Sequence, residues 1–168
     1  MTALHKVTPE RLEVTRAIDD VLAAYVRSSD ADGTSGPGAV STFLGLVRDR
    51  NAGRTVTRLE YEAYEPLALK AFERIADEAA ERWPGAVVGI RHRTGTLAIG
   101  ETSVVIVGVS AHRADAFAVT RYAIERIKQI APIWKREHFD GGEVWIEGAT
   151  ADPLDEAARA EALRRACV

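Results

Sequence analysis

Two of the four lysines in this chain have a spacing that could support proton transfer or nucleophilic attack. Lys128 falls near the end of a predicted helix over residues 113–131, and Lys135 follows seven residues later in a predicted strand. On a helical wheel Lys128 lies at the border of the apolar arc, about 20° from Phe117. Partial desolvation and a neighbouring ammonium group both favour a neutral amine, which can act as nucleophile or proton shuttle. Each lysine also has a simpler interpretation, as a cation over the core edge or on an exposed strand face.

Three further cationic side chains could bind an anion. Residues 110–113 (Ser-Ala-His-Arg) lie where a predicted strand becomes a helix, and a helix N-terminus offers free backbone N–H groups and positive potential. The guanidinium of Arg113 suits phosphate or carboxylate, and His112 could donate a hydrogen bond or transfer a proton. Arg48 directly follows a predicted strand over residues 39–47 and could clamp an anionic group. The alternatives are a capping or packing role for His112 and a solvated loop position for Arg48.

Composition and charge exclude several classes of function. The 168 residues carry a net charge of −3, which argues against a nucleic-acid binder held by bulk charge. No apolar run approaches the roughly 18–20 residues of a membrane helix, and the first six residues lack the apolar part of a secretion signal. We therefore expect a cytoplasmic protein with no membrane partner. Cys167 cannot form an internal disulfide, and the four histidines lack metal-ligand spacing, so we expect no metal and no cofactor.

The elements that must position these residues alternate between strands and helices. Helices are predicted from Thr15 to about Val26, over residues 66–83 and over 113–131, and Asp152 or Asp155 could cap a short C-terminal helix. Residues 28–38 are predicted to form a flexible loop, 48–54 a polar turn and 94–101 a connection. Strands are predicted over residues 39–47, 55–64, 86–93, 102–110, 133–139 and 143–147. Because short turns join neighbouring strands, we expect one α+β domain with largely antiparallel pairing.

Five segments together resemble one family, the large catalytic subunit of molybdopterin synthase (MoaE). They occur in the family's order, and the last two are quite specific. They are residues 43–48 (Phe-Leu-Gly-Leu-Val-Arg), 59–64 (Leu-Glu-Tyr-Glu-Ala-Tyr), 92–95 (His-Arg-Thr-Gly), 110–113 and 128–137 (Lys-Gln-Ile-Ala-Pro-Ile-Trp-Lys-Arg-Glu). The resemblance implies an α/β-hammerhead domain with an additional, mostly antiparallel sheet. It covers a core of residues 38–148, preceded by a strand, helix and loop (1–37) and followed by a helical tail (149–168).

The resemblance also implies an activity and partners. Members of this family form a homodimer at the centre of a heterotetramer, and each end binds one small ubiquitin-like sulfur-carrier subunit. The C-terminal Gly-Gly thiocarboxylate of that subunit enters the large subunit, and sulfur is transferred twice to cyclic pyranopterin monophosphate, which gives the dithiolene of molybdopterin. No metal or cofactor is implied. By residue, the match makes Lys128 and Lys135 catalytic, and it assigns substrate binding to Phe43, Arg48, His112, Arg113, Arg136 and Glu137.

Several points stay open from sequence. His112 and Arg113 could act within one chain or reach in from the neighbouring protomer, and the sequence does not say which lysine transfers the proton. Some relatives carry Lys at the position of Leu46, or an arginine near Gly148, so anion binding here would depend more on the remaining cations. The alternative function is a non-catalytic binding module for an anionic metabolite or a partner's C-terminal tail. A weaker third possibility is nucleic-acid binding through the basic segment 111–138.

Overall fold

Four helices and two sheets make up the computed structural model, which describes residues 4–33, 36–146 and 148–167. None of the described helices is both long and apolar enough to cross a bilayer. In chain order the elements are β1 (Lys6–Thr8), α1 (Val14–Asp32), β2 (Ala39–Leu46), β3 (Arg50–Asn51), β4 (Arg54–Ala63), α2 (Glu65–Arg82), β5 (Val87–Arg93), β6 (Gly95–Ala98), β7 (Thr102–Ser110), α3 (Arg113–Ile130), β8 (Ile133–Phe139), β9 (Gly142–Ile146) and α4 (Glu156–Ala166).

The first sheet has the order β1-β5-β7-β2 and is buried on both faces at its centre. Alternation along β7 sends Val104 and Ile106 to a core shared with α2 and α3, and sends Val105 and Val107 to a smaller core against α1. A strand covered on both faces needs an unbroken apolar run, which residues 104–107 supply. The sheet is antiparallel except for the pair formed by β1 and β5.

The second sheet curls beside the first. Its order is β3-β4-β8-β9, and β6 also pairs with β4. Leu59 of β4 packs with Val47, Val56 and Leu97 in a small core, while Glu62 on the same strand faces outward. All pairs in this sheet are antiparallel, so the predicted fold class, α+β with mostly antiparallel sheets, is confirmed.

Helix α3 joins the two sheets and carries one of the candidate lysines. It packs closely on β7 because Gly108 has no side chain; a Cβ there would lie 2.9 Å from the carbonyl oxygen of Ala116. The helix ends where Ala131 adopts extended backbone angles (φ −78°, ψ 126°), as expected for a residue that precedes a proline. The chain then enters β8 directly, so the end of α3 and the start of β8 form one corner.

Three local predictions need correction. The loop predicted over residues 28–38 begins too early, since α1 continues to Asp32; the Ser29 hydroxyl donates to carbonyls of its own helix, and Gly33 (φ +65°) ends it. Residues 34–35 lie outside the described part of the chain. The predicted turn 48–54 contains β3, and the predicted connection 94–101 contains β6, because both short segments find a partner in β4.

The apolar arc of α3 is narrower than predicted. Phe117 was assigned to it from the helical wheel, but its side chain is 62% exposed. Ala116, Val119, Ala123 and Ile127, on the centre of the arc, are buried as expected. At the C-terminus, Asp155 rather than Asp152 caps the predicted helix; its carboxylate accepts from the backbone N–H groups of residues 157 and 158.

A buried ion pair fixes the second half of α3. The fully buried guanidinium of Arg126 donates two hydrogen bonds of 2.9 Å to the carboxylate of Glu78 on α2, and the Tyr122 hydroxyl donates a third of 2.7 Å. Burial would raise the pKa of Glu78, but these donors outweigh it and the pKa lies below its ordinary value. The same guanidinium donates to the Pro153 carbonyl, which ties the C-terminal segment to α3.

Replacing Arg126 with methionine should destabilise the fold strongly. The substitution keeps most of the side-chain volume but removes the buried counter-ion of Glu78, and only the half-exposed Arg74 guanidinium remains, 3.2 Å from the carboxylate. We therefore expect a loss of about 3 kcal/mol in the free energy of unfolding, at the lower end for a broken buried ion pair. Urea denaturation measures it. Arg121→Met, on the exposed face of the same helix, is the matched control and should change stability by less than about 0.5 kcal/mol. Equal losses in the two variants would contradict this account.

Candidate active site

A cavity of about 630 Å³ opens between the curled sheet, the end of α3 and strand β2. This volume is in the range of small-molecule sites. Its wall is mixed, with apolar residues of β2, β4 and α3 around a group of polar side chains. The polar and titratable residues that line it are Arg48, Arg50, Asn51, Tyr61, His92, Ser103, Lys128, Lys135, Glu137 and Thr150.

The structure brings five of the eight predicted site residues to this one cavity. They are Phe43, Arg48, Lys128, Lys135 and Glu137. The two lysines come from different elements, the last turn of α3 and strand β8, and both line the cavity because the chain turns between them at Pro132. A cavity with two ammonium groups and an arginine favours an anionic ligand.

Two predicted residues lie far from this cavity in a single chain. His112 and Arg113 are exposed at the N-terminus of α3, whereas Lys128 lies in its last turn. A helix rises 1.5 Å per residue, so the fifteen positions between Arg113 and Lys128 separate them by roughly 22 Å. The same chain therefore does not bring His112 and Arg113 to its own lysines.

Arg136 is also absent from the cavity wall. Strand alternation places it on the opposite face of β8 from Lys135, where its guanidinium binds the Glu60 carboxylate at 2.7 Å and that of Glu143 at 3.0 Å. It also lies 4.8 Å from the ring centre of Trp145. Although Arg136 falls in the matched sequence motif, it does not join the pocket residues of its own chain.

The two lysines differ in how they are held. Lys135 Nζ lies 3.2 Å from Glu137 Oε1, on the same face of β8. Lys128 is exposed, and within the described ranges no side chain forms a hydrogen bond or ion pair with its ammonium group. The Lys135 ammonium is therefore held at the cavity wall, and the Lys128 side chain is free to change conformation when a ligand binds.

Glu137 is the buried carboxylate of the site. Its side chain is only 2% exposed, and Oε1 accepts a hydrogen bond of 2.8 Å from Asn51 Nδ2 in addition to the contact with Lys135. Burial would raise the pKa of Glu137, but the hydrogen bonds from Asn51 and Lys135 outweigh it, so its pKa lies below the ordinary value. The carboxylate is therefore ionised at neutral pH.

Two aromatic residues of the wall were missed by the sequence analysis. The rings of Tyr61 and His92 meet edge to face with centres 5.1 Å apart. Nδ1 of His92 lies 2.8 Å from the Arg93 carbonyl oxygen, an arrangement that assigns the proton to Nδ1. Burial lowers the pKa of His92 to about 4, and burial raises the pKa of Tyr61 above its usual value, so both are neutral near pH 7. Both lie in matched motifs, Tyr61 in residues 59–64 and His92 in residues 92–95, although neither was predicted as a site residue.

The departures from the family pattern fall at the same cavity. Leu46 and Gly148, where the resemblance implies a departure from some relatives, both line it. The cations that remain on the wall are Arg48, Arg50 and the two lysines. These four side chains are the positive charges that one chain offers to an anionic ligand in this cavity.

The low pKa of His92 should make the fold sensitive to mild acid. The histidine of the unfolded chain takes up a proton near pH 6.5, but the buried one does so only near pH 4, so stability falls as the pH drops between these values. His5 behaves in the same way, with its pKa lowered by burial to about 4. Each contributes up to about 1.4 kcal/mol per pH unit. We expect urea denaturation at pH 7, 6 and 5 to give a shallower dependence for His92→Gln than for wild type; equal slopes would contradict the assignment.

The fold and the cavity define a small α+β protein with a pocket lined by two lysines and two arginines. The family model described as "MoaE protein" matches residues 9–130, and the chain belongs to this family. The match includes α1, which the sequence motifs alone did not reach, and it ends just before β8.

Several proteins are similar to this chain in sequence, and one of them also in its solved structure. A molybdopterin synthase catalytic subunit of Bacillus subtilis is 52% identical over 109 residues, which cover 65% of this chain and 69% of that protein. One from Pyrococcus abyssi is 44% identical over 121 residues, 72% of this chain and 82% of the relative. The crystal structure of molybdopterin synthase from Staphylococcus aureus aligns with a TM-score of 0.77 and 37% identity, covering 88% of this chain and 99% of that chain.

A fourth comparison involves a complex. It is the protein–protein complex of subunits 1 and 2 of the molybdopterin-converting factor from Helicobacter pylori. The matching chain aligns with a TM-score of 0.63 and 28% identity, and the alignment covers 86% of this chain and 91% of that one. At 28% identity the two chains are similar in sequence as well as in fold.

Proposed function

We propose that this chain is the catalytic subunit of a molybdopterin synthase, an enzyme of molybdenum cofactor biosynthesis. It would act as a sulfurtransferase, moving sulfur from the thiocarboxylated C-terminus of a small carrier subunit to cyclic pyranopterin monophosphate. The observation that carries this proposal is the meeting of Lys128 and Lys135, from two different elements, in one cavity that also holds Arg48. The relatives are named as catalytic subunits, which does not favour the alternative of a non-catalytic binding module.

The charges of the cavity suit both proposed substrates. The cyclic phosphate and the thiocarboxylate are anions, and Arg48, Arg50 and the two lysines supply donors for them. In each transfer the thiocarboxylate sulfur forms a bond to a pterin carbon, whose oxygen substituent leaves. Water then attacks the acyl carbon and breaks its C–S bond, so that the sulfur stays on the pterin and the carrier ends in an ordinary carboxylate; that attack passes through an anionic state. Lys135, fixed by Glu137, can stabilise this anion from a constant position. Lys128, which is free to move, can carry the proton between water and the departing groups.

The proposed assembly accounts for the residues outside the cavity. The small subunit is proposed as the partner because one structural neighbour is a complex of two subunits. In a central homodimer, His112 and Arg113 of one protomer could approach the lysines of the other, which the length of α3 forbids within one chain. Thiocarboxylates and dithiolenes are easily oxidised, which favours a reducing compartment such as the cytoplasm.

The decisive experiment is reconstitution. The purified chain is incubated with thiocarboxylated small subunit and cyclic pyranopterin monophosphate, and dithiolene product is measured. We expect product only when the thiocarboxylate is present; the same subunit with an ordinary C-terminal carboxylate is the control. Tight binding of both components without any product would support the binding module instead.

A further inference from the structure

Glu137 is held in the cavity wall by one of its two carboxylate oxygens. Oε1 accepts from Asn51 at 2.8 Å and contacts Lys135 at 3.2 Å. Oε2 is buried and has no hydrogen-bond partner among the described residues. A buried charge with half of its acceptors unsatisfied is costly, and such groups are rare unless they serve a purpose.

The position of Asn51 is set by a tight hairpin. Strands β3 and β4 pair through Asn51 and Arg54, and the two residues between them have positive φ, +48° at Ala52 and +79° at Gly53. Positive φ at both central residues is typical of a two-residue type I′ turn, which follows the twist of the strands. Because the sheet curls, this turn carries the Asn51 amide to Glu137, a residue 86 positions later on β8.

We propose that Asn51 is a positioning residue: its amide holds the Glu137 carboxylate, and through it the Lys135 ammonium, at the wall where sulfur is transferred. This inference rests on the proposed function. A lysine has a flexible four-carbon stem, so its ammonium stays in one place only if a partner holds it. Glu137 supplies that partner, and Asn51 is its only uncharged donor among the described residues.

Several charged groups share the environment of Glu137. On the cavity wall the charged ones are Arg48, Arg50, Lys128 and Lys135, beside the neutral but titratable Tyr61 and His92, and the nearby charge of Arg54 lowers the pKa of Glu137 further. Protonation of His92 could also lower kcat at acid pH, because burial lowers the pKa of His92 to about 4. No hydrogen bond joins Asn51 and His92 in the described structure, so a change specific to Asn51 variants reports on Glu137.

The test compares Asn51→Asp and Asn51→Ala with wild type, in complex with thiocarboxylated small subunit. Asn51→Asp keeps the shape but replaces the donor with a second carboxylate. We expect kcat to fall roughly 10- to 100-fold in both variants, as for other residues that orient an active-site group, with KM for the pterin substrate nearly unchanged. The acid limb of the profile of kcat against pH, which is the range of low pH over which kcat falls, should move to higher pH. The reason is that the pKa of Glu137 rises when the Asn51 amide is lost. Ala52→Gly, in the same turn, is the matched control and should retain wild-type kcat.

A second measurement does not depend on activity. Carbon-13 NMR titration of the Glu137 carboxyl group should give a higher pKa in Asn51→Ala than in wild type. Unchanged kcat and an unmoved acid limb in both variants, with active wild type, would overturn the proposal. So would a loss of kcat that only parallels a loss of thermal stability with no shift of the acid limb. If wild type itself makes no product, the proposed function fails. The titration then tests the contact alone, and an equal pKa of Glu137 in wild type and Asn51→Ala would overturn it as well.

Discussion

Replacing Lys128 with alanine should reduce dithiolene formation by about 10²- to 10⁴-fold, the range expected when a general acid–base group is lost. Lys128 lines the same cavity as Lys135, and no hydrogen bond or ion pair within the described chain restrains its ammonium group. The substitution removes an exposed side chain, so the free energy of unfolding should change by less than about 0.5 kcal/mol. Product formed per enzyme, with thiocarboxylated partner in excess, measures the effect.

Lys70→Ala is the matched control for this experiment. Lys70 is also an exposed helical lysine, but it lies on α2 and does not line the cavity. We expect this variant to keep wild-type turnover. Normal turnover in Lys128→Ala, or an equal loss in both variants, would count against the assignment of Lys128.

The meeting of the two lysines could be predicted from the sequence because it depends on local rules. Helical periodicity placed Lys128 in the last turn of α3, and Pro132 had to end that helix. Alternation in β8 then separated Lys135 from Arg136 onto opposite faces, as the structure has them. The helix length, available from the same periodicity, already set Arg113 far from Lys128 in one chain.

The contact between Asn51 and Glu137 could not be predicted in this way. It joins residues 86 positions apart and depends on the curl of the second sheet, which no local pattern encodes. The pairing of Tyr61 with His92 likewise joins strands of different sheets. The matched motifs contain Glu137 and His92, but a motif does not identify the neighbouring groups that set the charge of these side chains.

The sequence also could not decide which residues at the border of the apolar arc of α3 are buried. The wheel placed Phe117 and Lys128 at one border of the apolar arc, and a border residue is buried only if a neighbouring element covers it. In this fold Phe117 stays exposed and Lys128 opens onto the cavity. Nearly the same angular position on one helix thus gives a surface residue at one end and a residue of the cavity wall at the other.

Replacing Lys135 with alanine should also cause a large loss, about 10²- to 10³-fold, which is the usual effect of removing one donor that stabilises a developing anion. The variant also leaves the Glu137 carboxylate without the ammonium 3.2 Å away, so its fold must be checked by urea denaturation. Lys135→Arg separates the effects, because arginine keeps the charge beside Glu137 but differs in shape and cannot give up its proton. If Lys135 only stabilises charge, Lys135→Arg should recover part of the activity, while Lys128→Arg should remain inactive. Full activity in both arginine variants would instead indicate that the cavity binds anions without lysine chemistry, and the sulfur-transfer assignment would have to be abandoned.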